Sequence, residues 1–171
     1  MDRYLDLCEA AFGRLLVVLA ALTAISIGLI AIGIPLNLVL VKMQWGSIWW
    51  LYEAVEYTIY VGVFITAPWV LRQGAHVRVD VLVAVLPPGL ALRLEQVLDV
   101  AGAAISAVLC WYGTRAAISE YVDGTLPDKD LRIANWYMLT VFAVGFALLG
   151  IEFLFRIRRS GQPVDAAKAR F

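Results

Sequence analysis

The sequence predicts an all-α integral membrane protein with four transmembrane helices and both termini cytoplasmic. Three observations predict it. Hydrophobic residues make up 62% of the chain and charged residues 16%, against about 45–50% and about 25% in a soluble domain. The apolar residues gather into four long runs. Lys and Arg concentrate in segments that an even number of crossings places on one side of a bilayer. Mean hydropathy is +0.80, and a water-soluble fold of 171 residues could not hide that much apolar surface. Net charge is zero, so no bulk charge marks a nucleic-acid partner.

The expected organisation is a four-helix transmembrane domain over 1–159 and a cytoplasmic tail over 160–171. The first span, 15–41, lies between Arg14 and Lys42 with no charge inside it. It would be roughly 40 Å long as a helix, against a hydrocarbon core of about 30 Å. It exceeds the ~7–15 apolar residues of a signal peptide, so a retained span is expected, tilted or kinked at Pro35. Before it, Tyr4, Leu5, Cys8, Phe12 and Leu15 share a face that excludes Asp2, Asp6 and Glu9, which suggests an interfacial lead-in helix. The second span, 48–71, opens in an aromatic belt of Trp45, Trp49, Trp50 and Tyr52. The third, 97–114, is rich in small residues and ends at Arg115. The fourth, 133–155, is marked by Trp136 and Tyr137 at one surface and by Arg156, Arg158 and Arg159 at the other. Ala20, Ala24 and Gly28, and again Gly102 and Ser106, form four-spaced small-residue stripes that suit close helix contact. Cys8 and Cys110 read as small apolar fillers.

Orientation follows from the basic residues. The side of the termini carries Arg3, Arg14, Arg72, Arg78, Arg93, Arg156, Arg158, Arg159, Lys168 and Arg170; the other carries only Lys42, Arg115, Lys129 and Arg132. The richer side is expected to be cytoplasmic. An exterior loop is then expected over 116–132.

Glu53 and Glu56 lie three apart on one helix face, continued by Tyr57, Tyr60 and Phe64. A charge near the bilayer centre costs about 2.5–3.5 kcal/mol, so these acids should face protein or water. They read as interhelical anchors, with an ion or proton site as the other possibility. Asp99 and Glu152 sit near the cytoplasmic ends of their spans, and Glu152 precedes Arg156 by four residues, the favourable order for an ion pair within one helix. The most distinctive local pattern runs from Arg72 through His76, Arg78 and Asp80, with valines alternating between the polar residues. It reads either as a positive-inside loop or as a docking segment in which Arg78 and Asp80 pair. Trp136 completes the set of partner-interface or structural candidates. No Gly-rich phosphate loop, nucleophile–base constellation or metal-ligand cluster is present in the sequence. The lone His76 cannot supply a bis-histidine haem site. Catalytic, cofactor and metal roles are therefore assigned to no residue, and no enzyme activity is expected.

With these motifs in view, the chain resembles the small membrane (DctQ-like) subunit of tripartite ATP-independent periplasmic (TRAP) transporters. The similarity rests on four spans with both ends inside, and on the acids of Trp49-Trp50-Leu51-Tyr52-Glu53-Ala54-Val55-Glu56. It rests also on Arg72-x-Gly74-x-His76-Val77-Arg78-Val79-Asp80, on Leu86-Pro87, on Asn135-Trp136-Tyr137 and on Gly145-Phe146. Ala134 stands about where family members often carry proline. The resemblance implies a bacterial inner-membrane protein that braces a large multi-span membrane subunit. That partner would bind substrate and coupling sodium, and a periplasmic substrate-binding protein would deliver an organic acid. This chain itself would hold no cofactor, meet the lipid bilayer, and bind no nucleic acid.

Rival functions fare worse. A small multidrug exporter needs an acid in its first span, and 15–41 has none. A claudin-like adhesion protein needs a cysteine pair in a long first loop, and Lys42 to Ser47 has neither length nor cysteine. A scaffold subunit of another membrane complex, or a self-sufficient four-span transporter, remains as the alternative.

Overall fold

A computed structural model describes residues 2–73, 88–127 and 133–160. All regular structure among them is helical: α1 (Asp2–Lys42), α2 (Leu51–Arg72), α3 (Pro88–Asp123) and α4 (Asn135–Ser160). Each is long and apolar enough to cross a membrane. At 1.5 Å per residue, α1 is about 60 Å long and α3 about 54 Å, so both outreach a hydrocarbon core of about 30 Å.

Two expectations change here. The lead-in is not a separate helix, because α1 runs from Asp2 to Lys42 without a break. Gly13 does not interrupt it; its missing side chain instead leaves room for the Arg72 guanidinium, which would lie 2.7 Å from a Cβ at that position. The expected exterior loop at 116–132 is also shorter, because α3 continues through Asp123. Residues 116–123 contain neither Gly nor Pro, and the stop comes at Gly124, in the left-handed region (φ 63°), whose N–H bonds the Glu120 carbonyl at 3.0 Å.

The helices form a row in the order α1, α2, α4, α3. Chain neighbours α1 and α2 run antiparallel. Gly62 meets Thr23, and Gly33 meets Leu51. The α1 contact face repeats at alternating three and four residues, through Glu9, Gly13, Leu16, Thr23, Ile30, Gly33 and Asn37, the less exposed positions of the helix. Ala24 and Gly28 lie on the open side, and a Cβ on Gly28 would touch nothing within 4 Å. Of the stripe expected to be a contact, Ala20 is half-buried, whereas Ala24 and Gly28 stay exposed within this chain. Small size permits close approach, but the neighbour's position decides which small residues are used.

α3 and α4 also run antiparallel and pack most closely. Gly102 receives the Phe153 ring, Ser106 faces Gly150, and Gly113 receives Phe142. Here the expected Gly102–Ser106 stripe is a helix contact. α2 and α4, which are not neighbours in the chain, run parallel. Gly145 lets them touch: a Cβ there would lie 2.7 Å from the Phe64 carbonyl oxygen. Outside these seams the surface of the spans is largely apolar, with Glu56 an exposed exception. Leu22, Ile25, Leu29 and Ile32 of α1 are more than half exposed in the isolated chain, as suits helices surrounded by hydrocarbon.

Candidate functional site: an ion-pair cluster where four helices end

The start of α1, the end of α2, the start of α3 and the end of α4 meet at one end of the row. Nearly all the ion pairs of the described residues lie there. Glu152 is at the centre. Its side chain is fully buried, its Oε1 accepts from Arg159, and its Oε2 lies 3.6 Å from Arg72. Arg72 leans across Gly13 and points toward the Glu9 carbonyl at 3.5 Å. Arg159 lies 3.5 Å from the Glu9 carboxylate, and Arg158 bridges Glu9 at 3.6 Å and Asp6 at 2.9 Å. Beside them, buried Asp99 of α3 pairs with Arg156 of α4 at 3.2 Å. Phe12 and Phe155 pack under the cluster with ring centres 5.7 Å apart.

Glu152 and Arg156 were expected to pair along one helix, and they do not. Glu152 turns toward α2, where Arg72 arrives, while Arg156 turns toward α3 and Asp99. A buried carboxylate needs a cation and hydrogen bonds. Glu152 takes its hydrogen bond from Arg159, two turns on in α4, and a second cation from Arg72 of α2, while Asp99 takes its cation from Arg156 of α4.

The cluster is suited to holding helices in place. An arginine keeps its charge throughout the physiological pH range, so each pair acts as a fixed tie between helix ends.

A second seam joins α2 to α4. The Tyr60 hydroxyl donates to the Met138 carbonyl at 3.2 Å. Phe64 packs against Tyr60 at 4.9 Å, Phe142 at 5.1 Å and Phe146 at 5.9 Å between ring centres. At the far end, buried Asn37 accepts the Ile48 N–H at 2.7 Å and so pins the α1–α2 connection. That connection leaves α1 through a left-handed residue, Gln44 (φ 57°). The Gln44 N–H bonds the Val41 carbonyl, and the Trp45 N–H bonds that of Leu40, the Schellman arrangement of a helix end. Trp136 stacks on Tyr137 and meets Tyr121 edge-on.

The expected site residues fall into different places. Arg72 joins the ion cluster, Tyr60 the aromatic seam, and Trp136 the far-end aromatic group. Tyr57 lines the groove between α1 and α2 near Thr23. Glu53 is half-buried and Glu56 exposed on α2, and each has an interaction partner. His76, Arg78 and Asp80 lie outside the described residues. Cys8 is exposed and is not a core filler. Asp6, Glu9 and Asn37 were not singled out from the sequence. Glu9 does lie on the three–four stripe with Gly13 and Leu16, and that periodicity is the signal that could have found it.

The family model for the DctQ component of tripartite ATP-independent periplasmic transporters matches residues 39–161. The chain belongs to this family. The match spans α2, α3 and α4 and the last turn of α1. Within it lie Arg72, Asp99, Glu152 and the three arginines of α4, whereas Asp6 and Glu9 lie outside. As a DctQ component, the protein is the small membrane subunit of a TRAP transporter, a multi-pass membrane protein and not an enzyme. No curated protein and no solved structure matches the chain.

Proposed function

We propose that this DctQ component braces a large multi-span TRAP subunit in the bacterial inner membrane. The large subunit binds an organic acid, delivered by a periplasmic binding protein, and carries the coupling sodium. The observation behind the proposal is the use made of Asp99 and Glu152. These buried acids are held by Arg156, Arg72 and Arg159, so their charge is committed to fixing the helix ends. A rigid brace needs such ties; a site that takes up and releases ions needs acids free to change partner.

Co-purification and uptake test the proposal. From mild detergent, a much larger multi-span protein should come down with this chain. Reconstituted alone, the chain should take up no organic acid. Glu56→Gln removes a charge and keeps the shape, so uptake per assembled complex should be unchanged. Sodium-driven uptake by the chain alone, or an intact but inactive Glu56→Gln complex, would overturn the bracing role.

A further inference from the structure

We propose that the groove between α1 and α2, at the end of the row that holds the ion cluster, binds the headgroup of an anionic phospholipid. The groove has a volume of about 540 Å3 and is lined by Arg14, Arg72, Gly13, Val17, Val18 and Trp69. Its two ends differ in chemistry. Arg14 immediately precedes the apolar run of α1, and Arg72 immediately follows that of α2. Both guanidiniums therefore lie where hydrocarbon gives way to headgroups. Val17, Val18 and Trp69 lie about one turn further toward the hydrocarbon and offer an apolar wall to an acyl chain. A charged head over an apolar wall has the form of a phospholipid; a free inorganic anion would leave that wall unused.

Charge complementarity selects an anionic lipid over a zwitterionic one. Arg72, Arg156, Arg158 and Arg159 each lie against a carboxylate. Arg14 is exposed at the mouth of the groove and has no carboxylate partner among the described residues. It adds a positive charge that the chain does not balance locally, and its planar fork suits a phosphate. Gly13 contributes by letting the Arg72 guanidinium lie close over the α1 backbone and so reach the same groove. The inference concerns lipid alone and does not depend on the bracing role.

Native mass spectrometry of the 171-residue chain in mild detergent tests it, with added dioleoyl phosphatidylglycerol or dioleoyl phosphatidylcholine. The first lipid bound should be phosphatidylglycerol, preferred by about fivefold or more. Arg14→Gln should lower that preference about fivefold. Val17→Trp should block the groove without removing a charge. Arg115→Gln, at the far end, should leave the preference intact. On the unmodified chain, raising salt should weaken phosphatidylglycerol binding and spare phosphatidylcholine; this arm needs no variant to fold. Equal uptake of the two lipids, insensitivity to salt, or an Arg14→Gln variant with full preference would overturn the site. Displacement of the lipid by millimolar inorganic phosphate would identify a free-anion site and would equally overturn it.

Discussion

Arg156 of α4 pairs with Asp99 of α3 at 3.2 Å, although Glu152 stands one turn before it on its own helix. The pairing is interhelical because Asp99 is buried in the seam and Arg156 is the cation within reach. Arg156→Gln should therefore leave a buried, uncompensated carboxylate and destabilise the chain by about 3–5 kcal/mol. Asp99→Asn combined with Arg156→Gln should cost less than the two single changes added together. Denaturation of all four forms in detergent checks the coupling, and strict additivity would show that the pair does not form.

Glu152 and Arg158 should differ sharply in cost. Glu152 is fully buried and holds both Arg72 and Arg159, so Glu152→Leu should cost about 3–5 kcal/mol. Arg158 pairs with Asp6, whose side chain is 49% exposed, and with Glu9, which Arg159 also holds, so Arg158→Gln should cost only about 1 kcal/mol. Melting temperatures in one detergent rank the two. A similar loss for both would mean that the centre of the cluster has been misplaced.

Two glycines should respond oppositely to enlargement. A Cβ at Gly145 would press on the Phe64 backbone of α2, and Gly145→Ala should cost about 1–3 kcal/mol. Gly28 faces open space, so Gly28→Leu should leave the melting temperature of the isolated chain unchanged. Loss of complex yield with Gly28→Leu would place that face against a partner, whereas a large stability loss in the isolated chain would contradict the packing described.

Membrane orientation is open to direct labelling. From the ten-to-four division of Lys and Arg, Gln73 is expected inside and Thr125 outside. Single cysteines at the two positions should therefore label differently with an impermeant thiol reagent in intact spheroplasts. Thr125→Cys should react and Gln73→Cys should not. The reverse result would invert the topology.

The four spans were legible because hydrocarbon imposes a length and a composition on any segment that crosses it, and Leu15 to Val41 meets both without a charge. The end of α3 was less legible. The run from Ala116 to Asp123 is polar enough to pass for a loop, yet nothing in it stops a helix before Gly124. The face holding Tyr60 and Phe64 was readable from helical spacing alone, while their partners Met138, Phe142 and Phe146 were not. The ion cluster was half readable. Its arginines stood out as topology signals, but their carboxylate partners are spread over α1, α3 and α4 itself.

By itself the sequence determined the all-helical class, the number of spans and the segments rich in arginine. These are local properties, set by hydrogen-bond satisfaction within each helix and by the transfer of apolar side chains out of water. Only the tertiary structure decided that α2 lies between α1 and α4, that Gly145 rather than Gly28 is a contact, and that Glu152 turns to Arg72 and Arg159 while Arg156 turns to Asp99. Apolar helices gain little from one neighbour over another in lipid. Their order and register are set by where small residues let backbones approach and where buried charges find partners, and both depend on residues far apart in the chain.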